Sequence, residues 1–201
     1  MFIIFQKGGL IMWPLLFCSL IAFAVVIERL WFLIQEKRSR NAAVVSRILT
    51  QIEHGEIELA IQENLTTTDF VAKTLVYGLQ NRHDSISSAL LRAANKELQR
   101  FTQSLSVLDT IITVAPLLGL LGTVSGMIRS FGLLGDMSLD NPTVITGGIA
   151  EALIATAFGL IIAIIALIPF NYLNSRLEEA RHEIEDASTH LELLLVKSGK
   201  A

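Results

Sequence analysis

The chain has 201 residues, of which 52% are hydrophobic and only 17% charged, and its formal net charge is −3. Average domains carry about 25% charged residues, and a weakly acidic balance does not point to nucleic acid. The shortage of charge is local: Leu10–Ile27, Ile111–Ile128 and Ala152–Phe170 hold no charged residue. Runs of about 18 to 20 apolar residues read as transmembrane helices. A soluble fold would have to bury all three completely. The expected class is an all-α membrane protein with three transmembrane helices and long cytoplasmic helical extensions. Its expected divisions are 1–36 (periplasmic start and first span), 37–104 (cytoplasmic helical region), 105–134 (second span), 135–143 (periplasmic loop), 144–175 (third span) and 176–201 (cytoplasmic C-terminal helix).

Met1–Gly9 is a short lead-in with Gly8-Gly9 as a breaker. It carries one Lys7, and the apolar run after it ends in Trp31 and Phe32, not in small residues, so it reads as a retained span and not a cleaved signal. Pro14 falls near the first helical turn, where proline is tolerated. Trp13 and Trp31 suit the two membrane interfaces. Cys18 lies inside this run and belongs to no disulfide or metal set. Glu28 and Arg29 read as a local pair or a contact to a neighbouring subunit. Lys37, Arg38 and Arg40 follow span one, Arg92, Lys96 and Arg100 precede span two, and Arg176 and Arg181 follow span three. Basic residues at span ends favour the cytoplasm, so the N-terminus is expected outside and the C-terminus inside. Arg129 is the misfit, expected to snorkel or to meet Asp136 or Asp140.

Between spans one and two, turns are expected at His54-Gly55, at Leu65–Asp69, where Asp69 can cap the next helix, and at Asn81–Ser85. Leu90, Ala94, Leu98, Phe101, Leu105 and Leu108 then recur at helical spacing, which predicts one helix running unbroken into span two, with a kink at Pro116. Span three begins after Pro142, contains Pro169, and continues as Leu177, Ala180, Ile184, Ala187, Leu191 and Leu194, a coiled-coil-like seam set among Glu178, Glu179, Arg181, Glu183, Glu185 and Asp186. That seam is expected against the long helix before span two or against a neighbouring subunit. His54, His83, His182 and His190 show no metal-ligand spacing, so no metal and no cofactor is expected.

Spans two and three share a pattern. When Thr123 is aligned with Thr156, Gly119, Gly122 and Gly126 fall at the offsets of Ala152, Ala155 and Gly159. At about 100° per residue each set forms a small-residue stripe with threonine at its edge. Such stripes let helices approach closely in a bilayer, and the hydroxyls face either a passage or a carbonyl of their own helix. Glu151 is the acid within span three, and an intramembrane acid is a functional hypothesis by default. It can sit in a hydrated entry, brace a helix contact or snorkel outward. It lies about 140° around the helix from Thr156, on the other flank of the stripe. Threonine holds no charge near neutral pH, so a proton path would need a midplane acid that these spans do not carry. The glycines lack the lysine of a phosphate-binding loop. No nucleophile–base pair appears, and no enzyme is expected.

The strings Gly119–Phe131 and Gly148–Ala157, with Met12-Trp13-Pro14 and Glu28-Arg29-Leu30, resemble the ExbB/TolQ/MotA proton-channel family, and its ExbB branch best. The resemblance implies a homopentameric ring in the bacterial inner membrane around two copies of a single-span ExbD- or TolR-like partner. The partner's aspartate would face Thr123 and Thr156, with Glu151 as supporting acid. Proton flow would turn the ring and energise a TonB-like protein for outer-membrane transport, and the small stripes would slide on the partner without interlocking. Three spans argue against the four-span flagellar branch. A TolQ-like role in envelope maintenance, a non-conducting membrane scaffold and a small transporter with its own site are the alternatives, although no inverted repeat of the last kind is seen.

Overall fold

A computed structural model describes residues 8–136 and 142–197. Most of the loop expected at 135–143, Asp140 included, falls outside them, as does Lys7. The described residues form seven helices: α1 (Met12–Ser39), α2 (Ala42–Glu53), α3 (Ile57–Asn64), α4 (Phe70–Gln80), α5 (Arg82–Thr102), α6 (Leu105–Asp136) and α7 (Pro142–Lys197). No strand occurs among them. Three helical stretches are long and apolar enough to cross a bilayer: Met12–Ser39, Leu105–Gly132 and Thr146–Lys197. Their outer faces carry exposed Phe17, Phe23, Ile128 and Ile168. In water such surface costs about 25 cal/mol per Å², a cost that lipid removes. The chain is an all-α, multi-pass membrane protein.

The chain divides into two compact units. One comprises Met1–Arg29 with Ser104–Tyr172. Its core is the seam between α6 and α7, described below. At its edge, Arg29 is buried and its Nε donates to Glu28 Oε2 at 2.5 Å, the local pair expected of this dipeptide.

The other unit comprises Leu30–Gln103 with Leu173–Ala201. Its core gathers Ile48, Ile52, Ala60, Val71, Leu75, Leu79 and Leu90 with Phe101. Phe101 meets Phe32 and Phe70 edge-on, with ring centroids 5.3 and 5.4 Å apart, a favoured aromatic geometry. Helix α2 ends in a Schellman motif: Gly55 N donates to Ile52 O and Glu56 N to Gln51 O, and Gly55 takes φ 83°, a left-handed conformation that glycine adopts without strain. Asp69 caps α4 by accepting from Val71 N and Ala72 N. Ser85 is extended (φ −170°, ψ 106°) inside the α5 range, and its Oγ accepts from Ser88 N at 3.3 Å.

Three expectations are corrected here. The helix before span two is not continuous: α5 ends at Thr102, α6 starts at Leu105, and Ser104 between them has φ 62°. The buried α5 position is Ala93, with Ala94 only half-buried. The seam on α7 closes on Leu195 in place of Leu194. A straight helix of 3.6 residues per turn drifts from a 3.5-residue repeat, by about half a residue over five turns, enough to turn Leu195 and not Leu194 into the core.

Candidate functional site

The two small-residue stripes press against each other. A Cβ on Gly119 would stand 2.9 Å from Thr156 Cα, one on Gly122 2.6 Å from Ala155 Cβ, and one on Gly126 3.0 Å from Ala152 Cβ. One on Gly159 would stand 2.5 Å from the Ala115 carbonyl oxygen. Rising numbers on α6 meet falling numbers on α7, so the helices are antiparallel. Backbone meets backbone because these positions lack bulk, which is how helices associate where the surrounding lipid is as apolar as they are. This corrects the sliding-contact expectation, since the stripes are consumed in a seam within one chain. Pro116 stays inside α6, one residue from buried Ala115.

The two threonines differ. Thr156 Oγ1 donates across the seam to Gly119 O at 2.9 Å. Thr123 Oγ1 donates to Leu120 O of its own helix at 2.7 Å. Helical geometry pairs the Thr123 N–H with the same Gly119 carbonyl, so this one oxygen links both threonines. Both side chains are half-buried. Farther along the same seam, Ser130 is buried and its Oγ donates to Gly126 O at 2.9 Å.

Glu151 is half-buried and its Oε1 pairs with Arg129 Nη1 at 3.2 Å. Arg129 therefore meets an acid of α7; the meeting expected with Asp136 or Asp140 falls on side chains outside those described. Sequence reasoning treated both charges singly, although two opposite charges at the ends of facing apolar runs are a signal for pairing. It also missed Gly9. A Cβ there would overlap the Glu151 carboxylate, 2.7 Å from Cδ, and Gly9 has φ 72°. The carboxylate thus lies between the second span's arginine and the turn that opens the first.

This arrangement is chemically specific in what it offers. Two hydroxyls and a shared carbonyl can hold water or solvate a carboxylate, but they cannot store a proton. Glu151 can carry charge and is held by a cation. The uncharged runs Ile111–Ile128 and Ala152–Phe170 hold no acid beside the threonines.

Residues 56–186 match the family described as the MotA/TolQ/ExbB proton channel family. The chain is 36% identical over 200 residues to the ExbB-like 1 biopolymer transport protein of Synechocystis sp., covering 94% of this chain and 77% of the relative. It is 36% identical over 126 residues to the biopolymer transport protein ExbB of Aquifex aeolicus, covering 61% of this chain and 83% of that one. The Tol-Pal system protein TolQ of Pseudomonas aeruginosa is 38% identical over 95 residues, 47% of this chain and 41% of the relative. With three bilayer-length apolar helices and a family match across most of its length, the chain belongs to the MotA/TolQ/ExbB proton channel family.

Proposed function

We propose that this protein is the ring-forming subunit of an ExbB-type motor driven by the proton-motive force. Five copies surround two copies of a single-span ExbD- or TolR-like partner in the inner membrane, with the N-terminus periplasmic and the C-terminus cytoplasmic. The partner's aspartate takes up the proton opposite Thr123 and Thr156. Glu151 serves as the supporting acid nearer the outer face. Each charge crossing the membrane releases about 2.3 kcal/mol per 100 mV, and the assembly passes this to a TonB-like protein. The observation that carries this reading is the Thr156 hydroxyl set on the Gly119 carbonyl between the uncharged runs Ile111–Ile128 and Ala152–Phe170: a polar site with no acid within those runs. The TolQ likeness supports a second reading, the same ring serving envelope maintenance with a TolR-like partner.

The test is proton flux into liposomes with and without the partner. Thr156→Val keeps the shape and leaves Gly119 O its helical N–H, so folding is expected to survive. Partner-dependent flux is expected to fall about tenfold, the effect of one hydrogen bond worth roughly 1.4 kcal/mol. An equal leak from both proteins, the same with and without the partner, would remove the shared passage; no flux from either under any condition would favour a non-conducting scaffold.

A further inference from the structure

Gly9 closes on Glu151 from a direction that neither the ion pair nor the small-residue seam explains. Its carbonyl accepts from Met12 N at 3.3 Å, which ties the turn to the first residues of α1. The preceding Gly8 is buried, and a Cβ there would stand 2.5 Å from Met12 Cγ and 3.3 Å from Ile154 Cγ2. Met12 itself is fully buried. The Gly8-Gly9 turn is therefore seated on α7 at Ile154 and Glu151, residues about one turn apart on the same side of that helix. At Gly9 the Glu151 carboxylate occupies the space a side chain would need. Arg129 then holds Oε1 from α6. The carboxylate has a steric wall on one side and a cation on another, and a group fixed in this way presents its charge at one place.

We propose that Gly9 is a positioning residue for the Glu151 carboxylate: its missing side chain lets the acid reach the Arg129 pair and stay there. The functional half of this inference rests on the proton-path reading above, whereas the steric half does not.

Two effects of Gly9→Ala must be separated. At φ 72° any L side chain strains the backbone, whatever stands at position 151. The overlap with the carboxylate, by contrast, depends on its length. Glu151→Asp withdraws the carboxylate by one methylene, about 1.5 Å, and opens the space that a Cβ at position 9 would fill. All four combinations of Gly9→Ala and Glu151→Asp are compared in the full chain with its partner. Gly9→Ala alone is expected to reduce partner-dependent flux by roughly ten- to a hundredfold, the scale of a 1 Å misplacement of an active group. In the Glu151→Asp background the same substitution is expected to cost little further. Equal losses in both backgrounds would overturn the proposal and leave Gly9 a turn residue only. The same four proteins are melted in detergent without the partner. There the Gly9→Ala penalty is expected to be less than half as large in the Glu151→Asp background as in the otherwise unchanged chain; equal penalties again overturn it. If wild-type flux is absent while the melting penalties still differ, the proton-path reading fails and the positioning role stands.

Discussion

Gly159→Leu is expected to separate α6 from α7 and to lower the melting midpoint in detergent by roughly 6 to 12 °C, equivalent to about 3 kcal/mol. The cause is what lies opposite. A Cβ at this position would meet Ala115 O at 2.5 Å, and Ala115 C and Gly119 Cα at 3.2 Å. These are backbone atoms, so no rotamer change makes room, and the helices must part. Parting them stretches the Thr156–Gly119 hydrogen bond and opens the seam at Gly122 and Gly126. In lipid no hydrophobic gain drives the helices back together, so the lost contacts stay lost. Gly159→Ala is expected to show the same direction at smaller size. Ala157→Leu, on the exposed face of the same turn, is expected to stay within about 0.5 kcal/mol. Similar midpoints for Gly159→Leu and Ala157→Leu would mean that the seam does not depend on close approach.

The spans were legible because a bilayer imposes a coarse requirement: a long run without charge. The small stripes were legible because glycine and alanine repeat at helical spacing. That the stripes face each other was not, since periodicity assigns a face to each helix and says nothing about which face meets which. The break at Ser104 left no trace either. Leu98, Phe101, Leu105 and Leu108 keep three- and four-residue spacing across it, and Gln103-Ser104 contains neither glycine nor proline. One serine in the left-handed region absorbs the turn, at a cost of order 1 to 3 kcal/mol that surrounding contacts offset.

The candidate site divides in the same way. Thr123 and Thr156 stood out as a repeated pattern, but their different hydrogen bonds depend on register: Thr156 lies opposite Gly119, whereas Thr123 turns back to Leu120. Arg129 drew attention to the nearest acids along the chain, and its partner came from the facing helix. Gly9 resembled a simple breaker because its reason, the Glu151 side chain, lies far away along the chain.

Asp69→Ala is expected to be strongly destabilising to the unit formed by Leu30–Gln103 and Leu173–Ala201. Asp69 is 1% exposed and accepts four hydrogen bonds. Its Oδ1 takes the N–H groups of Val71 and Ala72 at 2.9 and 3.0 Å. Its Oδ2 takes Arg40 Nη1 at 2.5 Å and Asn41 N at 2.6 Å. One carboxylate thus caps α4 and receives the chain as it passes from α1 to α2. Loss of the cap alone costs about 1 kcal/mol. Breaking a buried ion pair from one side costs roughly 3 to 5 kcal/mol. The lower end applies here, because Arg40 keeps Glu183 at 2.6 Å and is partly solvated. The expected total is about 3 to 4 kcal/mol, read as a shift in the denaturant midpoint at unchanged slope. Asp69→Asn keeps an acceptor for the α4 cap but loses the charge facing Arg40, so it is expected to fall between wild type and Asp69→Ala. If instead Asp69→Asn destabilises as much as Asp69→Ala, the ion pair carries the whole effect and the cap contributes nothing. If Asp69→Ala shifts stability by less than about 1 kcal/mol, within the range of a single cap, Arg40 and Asn41 have found other partners and the junction is not held by this carboxylate.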